Sequence, residues 1–362
     1  MAHGTRLNDL VQDRIEAFLE DRGSILLSIS PDLAPLDGFS KGFLSGGKRF
    51  RARFCYWGWQ AITGPGDHDL FPVLSAAGAL ELFHAAALVH DDLIDNSDTR
   101  RGAPAAHRRF ESLHRDSGWA GDGDEYGRAS AILLGDLLLG WSDELLDEGL
   151  QALPDRRNAR AARTEFMRMR TEVTAGQYLD ILEERAWLTK PEAEQRARAE
   201  RIITYKSAKY SVEAPLALGA AIAGASPAQL AALREFGLPL GIAFQLRDDL
   251  LGVYGDPDVT GKPAGDDLRE GKRTMLVAIA RERLTVGPRR LLDELLGDPT
   301  LSADQVHMLQ QTIRQCGAVD ELESLIADEV ARAARVLEDA PIDPEARRQL
   351  SSLATSVTRR AS

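Results

Sequence analysis

Apolar residues recur at intervals of three and four along almost the whole chain, which is the spacing of helices. Ala, Leu, Arg and Glu dominate these segments, and runs in which Val, Ile or Thr alternate with polar residues are absent. Prolines and glycines interrupt the pattern at Pro31, 64–66, Pro154, 255–257 and Pro341. The pattern therefore predicts an all-α fold of roughly ten or more helices.

Local signals indicate where some helices begin and where loops lie. The helix-start signals are the capping pairs Thr189 with Glu192 and Ser302 with Gln305, and the cap Ser226 before the first-turn Pro227. Residues 98–127 and 255–273 are rich in glycine and charge, so we expect loops there. Because no clear linker or repeat divides the chain, residues 1–362 are predicted to form one large helical domain.

Composition narrows the classes of function. The chain has 362 residues, of which 44% are hydrophobic, and its net charge of −12 argues against a nucleic-acid partner. Its two cysteines, Cys55 and Cys316, lie far apart, as in proteins of a reducing compartment. The first residues lack an apolar signal core, and apolar stretches such as 214–225 are broken by proline and glycine. We therefore expect a cytoplasmic protein with no stable membrane insertion.

Four aspartates follow an apolar helix in the sequence VHDDLIDNSD, residues 89–98. Asp91 and Asp95 are four positions apart, so their carboxylates lie on one face of a helix, whereas Asp92 points about 100° away and is placed to support them. Like charges at this spacing repel each other, so the arrangement is unfavourable unless a cation is bound.

A second apolar helix carries the adjacent Asp248 and Asp249, with Gln245 one turn before Asp248. Two such helices facing each other would form a cleft lined by carboxylates, which suits Mg²⁺ completed by waters and substrate phosphates. A Ca²⁺ loop of the EF-hand type is a poor fit, because its central glycine and final glutamate are missing. The alternative for either pair alone is a solvated acidic helix end.

Basic residues accompany both aspartate pairs, as expected where phosphates bind. Arg100 and Arg101 follow the first pair, and Lys48 and Arg51 follow a Gly-Gly turn. His84, two helical turns before Asp91, is a candidate hydrogen-bond donor to substrate. Further candidates are Lys206, Lys262, Gln177, Asp180 and Phe244, whereas Lys209 and Lys272 are interpreted as surface charges and His90 and His107 as structural residues.

Taken together, these motifs resemble the trans-isoprenyl diphosphate synthases, or polyprenyl synthases, of the geranylgeranyl diphosphate synthase type. The matching elements, between residues 46 and 274, are Gly-Lys-x-x-Arg at 47–51, Glu81 with His84, DDLID at 91–95, Arg-Arg-Gly at 100–102, GQYLD at 176–180, YKSA at 205–208, FQLRDD at 244–249 and the Gly-Lys block at 261–274. The resemblance implies an all-helical bundle around a deep central cavity, a homodimer, and three Mg²⁺ ions per site.

The same resemblance implies a role for each site residue. Asp91, Asp95 and Asp248 would be the metal ligands. Arg100, Lys206 and Lys262 would hold an allylic diphosphate, and isopentenyl diphosphate would be held by Lys48, Arg51, His84 and Arg101. The metal ions would stabilise charge on the leaving diphosphate, and Gln245 with the Lys206–Ser207 carbonyls would face the carbocation. Asp92 and Asp249 complete the catalytic set.

Two positions depart from the family pattern. Gly252 stands where many members have a third aspartate in the second motif, and Ala52 stands where a proline is frequent. By the family's logic, the residues before Asp91 form the floor for the growing prenyl chain. Ala86 and Ala87 leave room there, and Phe83 is the next stop, so we expect a product of twenty carbons (geranylgeranyl) or somewhat more. The alternative is that both alanines only permit close helix packing.

Two other functions are open to this sequence. A class I terpene cyclase also ionises a prenyl diphosphate, but it needs an Asn/Asp-x-x-Ser/Thr-x-x-x-Glu motif where this chain has further aspartates. A non-catalytic subunit of a heteromeric synthase could bind prenyl diphosphates without turning them over, and Gly252 is the feature that favours it. The intact first aspartate cluster argues against such a subunit.

Overall fold

The computed structural model describes residues 2–100, 102–256 and 264–358, apart from the side chains of 2–5 and 357. The α-helices in these ranges are α1 (Ala2–Ile29), α2 (Ala34–Phe43), α3 (Phe50–Thr63), α4 (Phe71–Ile94), α5 (Ala106–Asp116), α6 (Gly123–Gln151), α7 (Arg156–Ala186), α8 (Gln195–Ile202), α9 (Ala214–Ile222), α10 (Pro227–Tyr254), α11 (Asp266–Glu270), α12 (Met275–Arg283), α13 (Val286–Leu295), α14 (Ala303–Gln315), α15 (Ala318–Glu338) and α16 (Pro344–Thr358). A π-helix, Ile203–Glu213, joins α8 to α9, and three short 3₁₀ turns are Pro31–Leu33, Trp187–Thr189 and Glu192–Glu194. The predicted all-α fold is confirmed.

The strands in the described ranges are β1 (Thr99–Arg100) and β2 (Ala103–Pro104), which form a short antiparallel hairpin with Arg100 opposite Ala103. The hairpin follows α4 directly. It therefore carries Arg100 on a defined backbone rather than on an irregular loop.

The contacts divide the chain into two compact units. The first consists of Met1–Thr164 and Pro215–Ala225, and the second of Glu165–Ala214 and Ser226–Ser362. The sequence-based expectation of one domain around a deep central cavity stays a prediction.

Helix α4 is the centre of the first unit, where it packs against α6, α3, α1 and α5. Every residue from Pro72 to Phe83 is buried. Helix α4 is long and apolar enough to cross a membrane. The prediction that no stretch resembles a membrane span was therefore wrong by length and composition. However, 83% of its apolar window is buried inside the protein, as in the core helix of a globular unit.

Helix α10 plays the same part in the second unit, where it packs against α15, the π-helix, α11, α12 and α16. Leu246 and Leu250 of α10 join Leu276, Leu309 and Leu322 in one buried cluster. Leu246 and Leu250 are four positions apart and so lie on one buried face of α10. Asp248 and Asp249 are therefore carried by a firmly packed helix.

Several local predictions were wrong. In the expected loops 98–127 and 255–273, residues 123–127 belong to α6 and residues 266–270 form α11. Residues 106–116, expected to be part of a loop, form α5, because Ala106, Phe110 and His114 recur at helical spacing and are buried on one face. Thr189 does not cap a helix, since its hydroxyl donates to the Ala186 carbonyl instead. The capping boxes at Ser226 and Ser302 both form.

Candidate active site

The first aspartate cluster lies where α4 ends. Asp91 is in the last turn and Asp95 is the C-terminal capping residue, whose N–H donates to the Asp91 carbonyl at 2.8 Å. This backbone bond puts the two residues one helical turn apart, as their spacing predicts. Both side chains are half-buried, whereas that of Asp92 is only 1% exposed. Asp91 and Asp95 can therefore meet a ligand that Asp92 cannot reach in this conformation.

Asp92 is instead paired with the hairpin. The Arg100 guanidinium donates to one oxygen of the Asp92 carboxylate through both Nε, at 2.9 Å, and Nη2. A buried carboxylate needs such a partner, and the fork of the arginine is fixed by it. Asp92 thus orients the first of the two predicted diphosphate arginines, and the second, Arg101, lies outside the described residues.

The predicted isopentenyl diphosphate residues belong to the same unit. Lys48 is exposed in the loop before α3, Arg51 is half-buried in the first turn of α3, and His84 is half-buried on α4. The loop is tightly bent, because Gly46 and Gly47 have φ values of +67° and +91°. It therefore brings a lysine and an arginine together at the N-terminal end of a helix, which favours anions.

The three residues of the predicted chain-length floor differ in how far they are buried. Phe83 and Ala86 are 5% and 1% exposed, whereas Ala87 is half-buried. Of the two alanines, Ala87 is therefore the one that a larger side chain can replace without entering the packed core.

In the second unit, Asp248 is exposed near the end of α10 and Asp249 is 5% exposed. The Gln245 amide donates to Asp249 at 2.8 Å, so Gln245, which the sequence places one turn before Asp248, is bonded to Asp249. Burial raises the pKa of the Asp249 carboxyl to about 7, and the negative charge of Asp248 adds to this shift. A bound cation would offset both causes.

Lys206 lies on the π-helix and makes a 2.5 Å ion pair with Asp180 of α7. Lys272 approaches Asp180 at 3.6 Å and Glu184 at 3.4 Å with a side chain only 12% exposed, so its interpretation as a surface charge was wrong. Although burial alone would raise the pKa of Asp180, the two lysines lower it below its usual value. This carboxylate therefore stays ionised and holds both lysines in place.

Lys209, also interpreted as a surface charge, has a side chain 21% exposed and pairs with Glu172 at 2.7 Å. His107 is buried and burial lowers its pKa, while His90 lies 3.3 Å from the Ile132 carbonyl. His107 also lies 3.7 Å from Asp98, and the structural role of both histidines stays a prediction. Lys262, the third predicted allylic-site cation, lies outside the described residues.

Gly252, the departure in the second motif, lies against an acidic side chain. A Cβ at this position would lie 2.0 Å from Oδ2 of Asp267, so the glycine admits a carboxylate from α11 directly against α10. The absence of an aspartate at position 252 is thus accompanied by an acidic side chain from elsewhere in the same unit. This weakens the argument that Gly252 marks a decayed motif.

The aspartates of each unit, taken separately, fit Mg²⁺ ions whose other positions are completed by a ligand. Within the described ranges, no three His, Cys, Asp or Glu side chains form a group able to hold a metal ion alone. However, Asp91 and Asp95 in the first unit are hard oxygen donors with accessible side chains, and so is Asp248 in the second unit. Mg²⁺ usually takes only one or two carboxylates, with waters and phosphates in its other positions.

Sequence reasoning missed one residue of this region, Arg49. It is 6% exposed, it has a left-handed backbone with φ +50°, and its guanidinium lies 3.4 Å from Glu81 of α4. A left-handed arginine costs roughly 1–2 kcal/mol, and no sequence pattern marks it, because such conformations normally belong to glycine.

Comparisons with known proteins identify the family. A family model described as polyprenyl synthetase matches residues 36–313. The chain is 32% identical to a geranylfarnesyl diphosphate synthase of Aeropyrum pernix over 92% of this chain and 96% of that protein. It is 31% identical to a geranylgeranyl diphosphate synthase of Saccharolobus solfataricus over 75% of this chain and 74% of that protein.

A solved structure is similar over nearly the full length. It is a geranylgeranyl pyrophosphate synthase from Corynebacterium glutamicum, complexed with isoprenyl diphosphate and magnesium. It superposes with a TM-score of 0.92 at 38% identity, covering 98% of this chain and 99% of that one. The helical fold is therefore that of the isoprenoid synthases.

Proposed function

The chain belongs to the polyprenyl synthetase family and is a prenyltransferase, and from this premise we propose that it condenses isopentenyl diphosphate with an allylic diphosphate. One observation carries the proposal. A single packed helix, α4, ends on the accessible Asp91 and Asp95 and carries His84 two turns earlier, in the unit whose α3 loop presents Lys48 and Arg51. Carboxylates for metal and cations for phosphate thus come from one unit.

Asp91, Asp95 and Asp248 would hold the Mg²⁺ ions, three per site when substrate is bound. These ions, when present, stabilise negative charge on the departing diphosphate. The carboxylates orient them with hard oxygen atoms. Asp92 acts differently, because its carboxylate already binds Arg100 and thereby fixes the direction of that guanidinium.

The cations divide between two substrates. Arg100, Lys206 and Lys262 hold the allylic diphosphate, whereas isopentenyl diphosphate binds to Lys48, Arg51, His84 and Arg101. Two diphosphates repel each other, so these cations must neutralise them before the reacting carbons can meet. Arginine contributes paired N–H donors, lysine a mobile point charge, and His84 a single donor.

The allylic carbon–oxygen bond then breaks and leaves a carbocation, to which the isopentenyl double bond adds. The Gln245 amide and the Lys206–Ser207 backbone carbonyls stabilise that cation by their dipoles, in a site that excludes water. Asp249 orients Gln245 through the 2.8 Å hydrogen bond. The proton that is lost passes to the departing diphosphate, so no side-chain nucleophile is needed.

The product has twenty carbons or somewhat more, and geranylgeranyl diphosphate is the one we propose. Support comes from the small Ala86 and Ala87 before Asp91, with Phe83 about one turn deeper than Ala87. The relatives bear names of twenty-carbon and twenty-five-carbon synthases.

We also propose a cytoplasmic homodimer. On α6, Ile132 and Leu133 are 49% and 63% exposed, and neighbouring large apolar side chains at a surface are typical of an interface. Cys55 and Cys316 are both free, which fits a reducing compartment.

The deciding experiment is product analysis with purified protein, Mg²⁺, isopentenyl diphosphate and farnesyl diphosphate. Released alcohols of twenty carbons or more, lost with EDTA or in Asp91→Ala, would support the proposal. A cyclic hydrocarbon formed without isopentenyl diphosphate would favour a terpene cyclase. Binding of prenyl diphosphates with no product from any allylic starter would favour a non-catalytic subunit.

A further inference from the structure

The loop before α3 is held in an unusual conformation around Lys48. Gly46 and Gly47 precede it with positive φ, and Arg49 follows it with φ +50°. Glycine adopts this region freely, but arginine does not. A strained arginine persists only where its surroundings fix it, and such residues cluster at functional sites.

Three elements of the first unit fix Arg49. Its guanidinium donates to Glu81 Oε2 of α4 at 3.4 Å, to the Leu44 carbonyl at the start of the loop, and to the side-chain oxygen of Gln12 in α1. Arg49 and Glu81 are 6% and 8% exposed. A buried guanidinium needs a carboxylate, so the backbone at Arg49 depends on Glu81.

The second oxygen of Glu81 acts on the same segment. Glu81 Oε1 accepts the backbone N–H of Ala52 at 3.2 Å, in the first turn of α3. Among the described side chains, Arg49, the residue at the N-cap, makes no capping bond of its own. Glu81 therefore caps α3 from the neighbouring helix, where a carboxylate also interacts favourably with the helix dipole.

We propose that Glu81 is a positioning residue for the isopentenyl diphosphate site. With one oxygen on the Arg49 guanidinium and the other on the Ala52 N–H, it holds the residue that follows Lys48 and the residue that follows Arg51. Because Glu81 is on α4, three residues before His84, the same carboxylate sets those two cations relative to the histidine. The inference rests on the proposed function, since it assumes that these three side chains bind isopentenyl diphosphate.

The test compares Glu81→Gln with a control matched for burial, Glu165→Gln. Glu165 is 9% exposed and pairs with Arg234 at 2.5 Å, fifteen residues before Asp180 on α7, a distance of about 22 Å along the helix. In Glu81→Gln the KM for isopentenyl diphosphate should rise at least about tenfold, with the KM for the allylic diphosphate changed less than about twofold, because only one phosphate site is misplaced. Glu165→Gln should change neither KM, although both variants remove the charge of a buried glutamate that is paired with an arginine.

Glu81→Asp gives a second measurement in case Glu81→Gln does not fold. It keeps the charge but shortens the side chain by one methylene, so it should show the same selective effect at smaller size. An equal rise of both KM values, or a change no larger than in Glu165→Gln, would overturn the positioning role. A wild-type protein that elongates no allylic starter would instead refute the proposed function, and this inference with it.

Discussion

Substitution of Ala87 by phenylalanine tests the proposed chain-length floor. Ala87 is half-buried on α4, four residues after Phe83, so an aromatic ring at position 87 moves the floor up by about 6 Å, one turn of the helix. This is about the length of one isoprene unit. Ala87→Phe should therefore make a product shorter by one five-carbon unit, at a similar turnover rate, when the dephosphorylated alcohols are sized by chromatography.

Ala86→Phe is the matched control for space. Ala86 is 1% exposed, so a ring there enters the packed interior and should lower the free energy of unfolding by roughly 1–3 kcal/mol in a denaturant titration. Ala87→Phe should cost less, because its position is not fully enclosed. If a folded and active Ala87→Phe gives the same product lengths as the wild type, residues on other helices set the length, and the alanines serve packing alone.

Three further outcomes follow from single contacts. Because two lysines lower the pKa of Asp180 below 3.8, its carboxylate contributes stability above about pH 4 and this contribution is lost as the pH falls. Asp180→Asn should therefore lower the free energy of unfolding by roughly 1–3 kcal/mol at pH 7 in denaturant titrations. A difference from the wild type that does not shrink below pH 3.8 would contradict this. Asp92→Asn removes the carboxylate that orients Arg100, so it should raise the KM for the allylic diphosphate about tenfold and leave that for isopentenyl diphosphate less affected. Gly252→Asp places a second carboxylate beside Asp267, so it should lower the melting temperature without raising activity. A gain in activity would indicate that an aspartate at this position restores a metal ligand.

The parts of the site that were predictable from the sequence are local. The spacing of Asp91 and Asp95 fixes their relation as soon as the segment is helical, since a helix turns every 3.6 residues. The capping boxes at Ser226 and Ser302 were predictable for the same reason, because each involves residues three apart. The all-α class follows from periodicity summed over the chain.

The unpredicted parts depend on tertiary contacts. Lys272 resembles a surface charge in a basic segment, and only the fold brings it to Asp180, ninety-two positions earlier. The same holds for Asp267, which comes from another helix to lie beside Gly252. Helix α5 was missed because the glycines on either side of it indicated a loop, although its buried residues have helical spacing.

Helix α4 explains why the site tolerates so much unfavourable charge. From Pro72 to Phe83 it is wholly buried, and the one acidic side chain in that stretch, Glu81, is satisfied by Arg49 and by the Ala52 N–H. Like-charged aspartates near a helix end would fray a weakly packed helix, since each repels the next. Here the turns that precede the aspartates are packed in the core, so the helix cannot unwind to relieve the repulsion. The repulsion therefore persists until a bound cation neutralises the carboxylates. The apolar residues that make α4 resemble a membrane span therefore also keep its acidic end helical, with Asp91 and Asp95 one turn apart.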